Sequence, residues 1–546
     1  MGKADHVIVL MLENRSFDFM LGFLAHPNPA YPRLSGGEFN RLGPVNDPTS
    51  PRVFVTATGA PTLALSPDHS HRGVMHQLFG VRTTTSPNGT PTSSGFLNDY
   101  EDFARAKLGM PGQGQLIMGC LDSTRAPVLT RLALAFGVFT KWFCSVPGET
   151  WPNRNFAHTA TSDGAVNIEL RLYNNRTVYE LLEDNKLTWG IFHDGFPQVF
   201  AFPALWTRGT FGTSEKIKSL LDRIANDKLP AYSFVEPNHF GKKSNSQHPG
   251  NNEKDDRDFR AAEALIAEIY RALFSNPKVF NKTLFLVTYD EHGGHFDNAP
   301  PPRDSKFSDG RVGDGNFRFD ILGPRVPCVA ISPWIDAGFV DNETVLDHSS
   351  IVHTVRAAFL PSAAPLPKSR DGKTGTALHV MKRQTPRSPA ELPSPSSILG
   401  SKAAKAVLGR RSAREEMRPA TELDDFQRSL VWLARTMEKQ LEALPGTKLA
   451  TRRLAETVTG VEVTDAALAG KTIADIERET DRVVRKARRM GQVPTRKARP
   501  ALKKKRSSVA RVAAKKRLTP KARARSKRRQ APRKAKRRTR KATRRK

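Results

Sequence analysis

Short apolar runs punctuate the first 360 residues. Val7 to Leu12, Thr283 to Tyr289 and Val326 to Ile331 are rich in β-branched and aliphatic side chains and too short for helices, which predicts buried strands of a parallel sheet. Asp258 to Phe274 has the other rhythm. Phe259, Ala262, Leu265, Ile266, Ile269, Tyr270 and Leu273 recur at three- and four-residue spacing, so an amphipathic helix leads into the strand at Thr283. Helix followed by strand predicts an α/β fold with helices on both faces of a mostly parallel central sheet.

Further along, Ala420 to Leu444 repeats the helical spacing through Leu423, Phe426, Leu430, Leu433, Met437 and Leu441, and Ile473 to Arg489 continues as a charged helix. A Pro, Ser and Lys-rich stretch separates these from the body. The expected organisation is a compact body over 1–365, a linker over 366–402, a small helical appendage over 403–481 and a disordered basic tail over 482–546.

Charge changes the picture only at the end of the chain. The net charge of +33 suits a nucleic-acid binder, yet 32 of the 87 Lys and Arg lie in 482–546, where Asp and Glu are absent. That leaves 55 bases against 54 acids over the first 481 residues, so the body is nearly neutral. A polyanion argument therefore applies to the tail alone. The tail resembles the arms of histone-like proteins, which neutralise phosphates without reading sequence. Nucleic acid is its first expected partner, and an anionic lipid surface the second.

Three cysteines, Cys120, Cys144 and Cys328, are too few for a disulfide framework and lack the paired spacing of a zinc site. No run of about 18 apolar residues predicts a membrane span. Val7 to Leu12 is too short for a secretory core, so a cytoplasmic location is expected, or a secreted or periplasmic one for a chain trimmed of its leader.

Two of the predicted strands end in acids: Glu13-Asn14 after the first, Asp290-Glu291 after the second. In α/β sheets the crevice past the carboxyl ends of the strands is where ligands bind. Carboxylate and amide oxygens there suit a hard divalent cation, which polarises phosphoryl oxygens. Either pair alone reads more often as a helix cap or surface ion pair, and the two together favour the site. The turn-rich segment Ser145 to Asn155 adds one hydroxyl, Thr150, between rigid residues, a nucleophile once a metal or base lowers its pKa. His69, His193 and His248 are candidates to neutralise phosphate oxygens or protonate a leaving alkoxide.

Seven ordered strings bind these segments together: Glu-Asn-Arg-Ser-Phe-Asp from Glu13, Pro-Gly-Glu-Thr-Trp-Pro-Asn-Arg from Pro147, Phe-Val-Glu-Pro-Asn-His-Phe from Phe234, the His-Pro at His248, Tyr-Asp-Glu-His-Gly-Gly from Tyr289, Val-Pro-Cys-Val-Ala-Ile-Ser-Pro-Trp from Val326 and Asp-His-Ser-Ser from Asp347. The chain resembles, over roughly residues 5 to 360, the bacterial phosphoesterase family of phospholipases C and acid phosphatase. The resemblance implies an alkaline-phosphatase-like α/β fold with one active-site metal of unspecified identity, held by Glu13, Asn14, Asp290, Glu291 and Thr150. It implies that Thr150 is the nucleophile and passes through a phosphothreonine, and that His69, His248 and, on a weaker alignment, His193 contact the phosphoryl group. Threonine at that position leans to the phospholipase side. The expected substrate is a phospholipid headgroup ester or a small phosphomonoester. The competing expectation is a nucleic-acid-associated protein whose tail carries the biology and whose phosphoesterase body is vestigial.

Overall fold

The computed structural model describes residues 3–206, 214–250, 256–399, 423–442 and 463–491. Eight strands form its central sheet: β1 (His6–Leu12), β2 (Gly137–Phe139), β3 (Trp189–His193), β4 (Ser214–Glu215), β5 (Tyr232–Glu236), β6 (Thr283–Tyr289), β7 (Cys328–Ile331) and β8 (Phe339–Asp341), in the order β8-β2-β7-β6-β1-β5-β3-β4. β1 lies between β5 and β6, parallel to both, with Val7 opposite Tyr232 on one side and Leu284 on the other. Its residues from Val7 on are buried, as an uninterrupted apolar run requires when helices cover both faces. The class is α/β with a mostly parallel sheet, as the alternation of helix and strand predicts.

One expected parallel strand runs the other way. β7 is antiparallel to β6, Cys328 facing Thr288, and antiparallel to β2. The reason lies in the connection. Between Tyr289 and Cys328 the only helical pieces are the single turns Ser305–Phe307 and Asp314–Asn316. Without a crossover helix the chain stays at the carboxyl end of the sheet and re-enters from there.

The helices that matter for the site are α1 (His71–Phe79), α2 (Thr150–Thr159), α3 (Arg257–Ser275), α4 (Asp425–Glu442) and α5 (Ile473–Gly491). α3 extends the expected helix by one residue at each end and buries Phe259, Ile266, Ile269 and Tyr270 against the sheet.

The regions expected as linker and appendage pack on the body where they are described. Leu366, Ala377, Val380, Leu392 and Ile398 join the main core, and two buried ion pairs, Arg370 to Asp347 at 2.5 Å and Arg356 to Asp371 at 2.9 Å, fasten the stretch. Proline and serine here produce an irregular backbone, not a separate one. Phe426, Leu430, Leu433 and Met437 of α4 belong to the same core. α5 lies on α4 through Arg435 to Glu479 at 2.6 Å and Arg482 to Glu438 at 3.0 Å. The first ten residues of the expected tail are therefore helix. The remainder of the tail, with 400–422 and 443–462, lies outside the described residues. Among those described, no helix is long and apolar enough to cross a membrane.

Candidate active site

The register of the sheet brings its acids together. Leu12 pairs with Tyr289, so Glu13 and Asp290 leave β1 and β6 side by side, and His193 pairs with Glu236 where β3 and β5 end. Asp290 Oδ1 accepts from the backbone N–H of Asn14 at 3.0 Å and of Glu291 at 2.7 Å. Asn14 is left-handed at φ 58°, a conformation an asparagine tolerates better than most residues. Gly293, at φ 66°, passes so close that a Cβ would stand 2.1 Å from the Asn14 carbonyl. The Gly-Gly after the acids thus permits the two strand ends to touch.

Thr150 is reached from below. Gly148 lies against Val166, leaving 1.9 Å for any Cβ, and the chain then turns into α2 with Glu149 as its N-cap residue. The segment expected as a turn-rich loop is therefore a loop only as far as Glu149. Thr150 opens the helix, where the unpaired N–H groups favour negative charge. Its hydroxyl is fully buried and donates to Asn14 Oδ1 at 3.5 Å.

One turn along α2, on the same face, stands Arg154. It is completely buried, with Nε 2.9 Å from Asp290 Oδ2, Nη1 3.5 Å from Glu236 Oε1 and Nη2 3.7 Å from Glu13 Oε1. One guanidinium thus faces three carboxylates from three strands. His239 supplies a second cation, Nδ1 at 2.8 Å from Glu13 Oε2 and Nε2 at 3.4 Å from Glu236. Burial raises the Glu13 pKa, but His239 and Arg154 outweigh it and hold the carboxyl down at about 2. Burial lowers that of His239, which Glu13 nevertheless pulls up to about 9. Asp290 moves the opposite way, pushed up to about 7 by burial and by the like charges of Glu13 and Glu291 in spite of Arg154.

The expected histidines divide. Burial disfavours the charged form of His69, yet Glu291 and then Glu149 raise its pKa to about 9, so it is an imidazolium beside the acids at neutral pH. His248 is buried and meets His69 edge-on, ring centroids 6.5 Å apart. His193 sits at the end of β3 with Nδ1 2.5 Å from the Gly195 carbonyl and its ring edge-on to Phe200. The strand register sets it beside Glu236.

His348, in the last family string, is a fixed neutral support. Its Nδ1 accepts from the Trp142 indole N–H at 3.2 Å, so Nε2 carries the proton it donates to the Asp290 carbonyl at 2.5 Å. Burial lowers its pKa to about 4. The unfolded chain binds this proton near 6.5, so the stability tied to neutral His348 is complete above pH 6.5 and lost as pH falls towards 4. Over that window the loss amounts to about 3 kcal/mol. The urea midpoint should therefore fall less steeply between pH 7 and 4.5 for His348→Gln than for the parent; equal slopes would remove His348 as the titrating group.

The far wall comes from α4. Phe426 stands edge-on to His239 at 4.9 Å and 5.6 Å from the Arg154 guanidinium, while Gln427 donates to the His239 carbonyl at 2.6 Å. Asp424 Oδ2 is 3.7 Å from His248 Nδ1, and Trp432 packs on Trp151 at 6.3 Å. Arg154, Glu236, His239, Asp424 and Phe426 were not among the residues expected at the site. Glu236 did carry a signal: a short, mostly apolar run, Tyr-Ser-Phe-Val from Tyr232, closes on an acid as do the runs before Glu13 and Asp290.

A hard cation fits the donor types. Glu13 Oε1 and Glu291 Oε1 are buried with no hydrogen-bond partner, and Asn14 Oδ1 and the Thr150 hydroxyl stand with them. The cage is not closed, however. Among the described residues no group of three or more His, Cys, Asp or Glu is arranged around a common ion position, and Arg154 takes one oxygen of Asp290.

Strand-end acids and the hydroxyl at the start of α2 thus share one buried place, and comparison with known proteins gives the class of the protein. The chain matches the Phosphoesterase family over residues 4–360. It is 34% identical over 452 residues to non-specific phospholipase C1 of Arabidopsis thaliana, covering 79% of each chain, and 28% identical over 441 residues to phospholipase C B of Mycobacterium tuberculosis, covering 71% of this chain and 79% of that one. Among solved structures it is similar to a protein in the alkaline phosphatase superfamily from Vibrio parahaemolyticus, at 11% identity over 49% of this chain and 64% of that one, with a TM-score of 0.29. The chain belongs to the phosphoesterase family, and it is a hydrolase acting on phosphoric ester bonds.

Proposed function

We propose that the protein cleaves phospholipids as a phospholipase C, with Thr150 as the nucleophile. The observation that carries this reading is the buried Thr150 hydroxyl at the start of α2, donating to Asn14 in a site where Glu13 Oε1 and Glu291 Oε1 accept no hydrogen bond. Thr150 Oγ attacks phosphorus, the ester bond to diacylglycerol breaks, and the leaving oxygen takes a proton. Water then attacks the phosphothreonine and releases the phosphorylated headgroup. His69, charged at neutral pH, neutralises a non-bridging oxygen as negative charge gathers there. In this reading His248, whose ring meets that of His69 edge-on, serves the leaving oxygen. Glu13, Asn14, Asp290, Glu291 and Thr150 are the residues that would hold one divalent cation, whose chemistry is to polarise the phosphoryl group and lower the pKa of the hydroxyl.

A phospholipid diester is favoured over a small monoester because the similar proteins from plant and mycobacterium, matched across most of their length, are named phospholipases C. Phosphatidylcholine should yield phosphocholine and diacylglycerol, EDTA should abolish the reaction, and added divalent ion should restore it. Release of phosphate from p-nitrophenyl phosphate with no cleavage of phosphatidylcholine would sink the phospholipase reading, and full activity after exhaustive chelation would sink the metal.

A further inference from the structure

The way into the site is marked by exposure. Thr150, Glu13, Asn14, Asp290, Glu291 and His239 are buried, whereas Glu149 and His69 beside them are partly open, so the mouth lies on their side. Three loops meet there. His71, at the start of α1, has its ring nitrogens 2.5 Å from the Pro147 carbonyl and 3.2 Å from that of Thr84, its backbone N–H on Asn167 at 2.7 Å, and Phe317 edge-on at 4.8 Å. Ile168 donates its N–H to the Glu149 carboxylate, and Asp163 ties the loop bearing Ile168 to Arg311 at 2.5 Å. Loops 81–85, 163–172 and 310–318 are thus fastened to one another and to the segment that carries Thr150.

Each of these loops turns one large apolar side chain outward: Val81 is 58% exposed, Leu170 51% and Val312 61%. Exposed apolar tips on loops tied to one another beside a site suit a contact surface. Two cations accompany them. Arg72, next to His71, and Arg318, next to Phe317, are exposed and form no ion pair among the described residues, unlike Arg171 and Arg311, which Asp163 engages. Apolar tips with uncommitted arginines complement an interface of acyl chains beneath phosphates.

We propose that this rim docks the protein on a phospholipid bilayer, with Val81, Leu170 and Val312 entering the acyl boundary and Arg72 and Arg318 taking lipid phosphates. The proposal rests on the reading of the substrate as a phospholipid. It gives that reading a physical route, because a buried nucleophile reaches an ester held in a membrane only if its mouth faces the membrane.

The test uses the full chain and phosphatidylcholine vesicles, which offer the basic tail no net anionic surface. Val81→Ser, Leu170→Ser and Val312→Ser together should weaken co-sedimentation with the vesicles about tenfold or more and lower vesicle turnover in proportion. Hydrolysis of soluble p-nitrophenylphosphorylcholine should stay at the parent rate. Arg72→Gln with Arg318→Gln should weaken co-sedimentation several-fold, again sparing the soluble substrate. Vesicle binding that survives the serine substitutions overturns the docking proposal, and so does an equal loss on the soluble substrate. If the parent binds vesicles through the rim but cleaves no phospholipid, the substrate reading fails while the docking face stands.

Discussion

Thr150→Ala should lower phosphoester turnover on the order of 10³-fold or more while leaving the fold intact. The hydroxyl makes one long hydrogen bond, 3.5 Å to Asn14, and its loss opens no apolar cavity of consequence. Binding is then expected to persist, with KM nearly unchanged and kcat collapsing. Thr150→Ser should retain a measurable fraction of the rate. Acid-quenched parent enzyme, digested and weighed by mass spectrometry, should carry a phosphorylated species on the peptide containing Thr150. A Thr150→Ala variant that turns over within tenfold of the parent would show that another group attacks phosphorus.

The second large effect concerns stability. Arg154 is the guanidinium that Glu13, Glu236 and Asp290 share, with every one of these groups buried. Arg154→Met keeps most of the volume and removes the cation, leaving three carboxylates in a dry site with His239 as the cation paired to Glu13 and Glu236. Breaking a buried charge network from one side costs about 3–5 kcal/mol. The urea midpoint should fall accordingly. Because the orphaned carboxylates can escape by binding protons, the deficit should narrow as pH is lowered from 8 to 6. A variant as stable as the parent across that range would mean the acids are already neutral and Arg154 balances nothing.

Much of the architecture could be read from local pattern, because it is local. An uninterrupted apolar run such as Val7 to Leu12 can be satisfied only by burial on two faces, and the acid that ends it must emerge at the sheet edge. The direction of β7 was hidden, since it depends on what the chain does between Tyr289 and Cys328, where turn residues alone do not tell which end it will re-enter. Arg154 was hidden differently. Nothing in a sequence separates a buried arginine from a surface one until its partners are placed, and those lie 141, 82 and 136 positions away at Glu13, Glu236 and Asp290. The apolar face of α4 was legible through Phe426, Leu430 and Met437, but a periodicity says that a face is covered, not by what. Composition misled over 366–399, where proline and serine resemble a linker while buried ion pairs fix the stretch in place.

The wall that α4 adds to the site bears on how the protein is made. A ribosome that has just extruded Leu360 has delivered every family string, Thr150 and all the strand-end acids. It has yet to synthesise Phe426, the ring that closes on His239 and Arg154. Until then the side of His239 and Arg154 that this ring covers has nothing from α4 against it. Only when translation has passed residue 442 is α4 complete, so the candidate site gains its last wall late in biosynthesis, some eighty residues after Leu360.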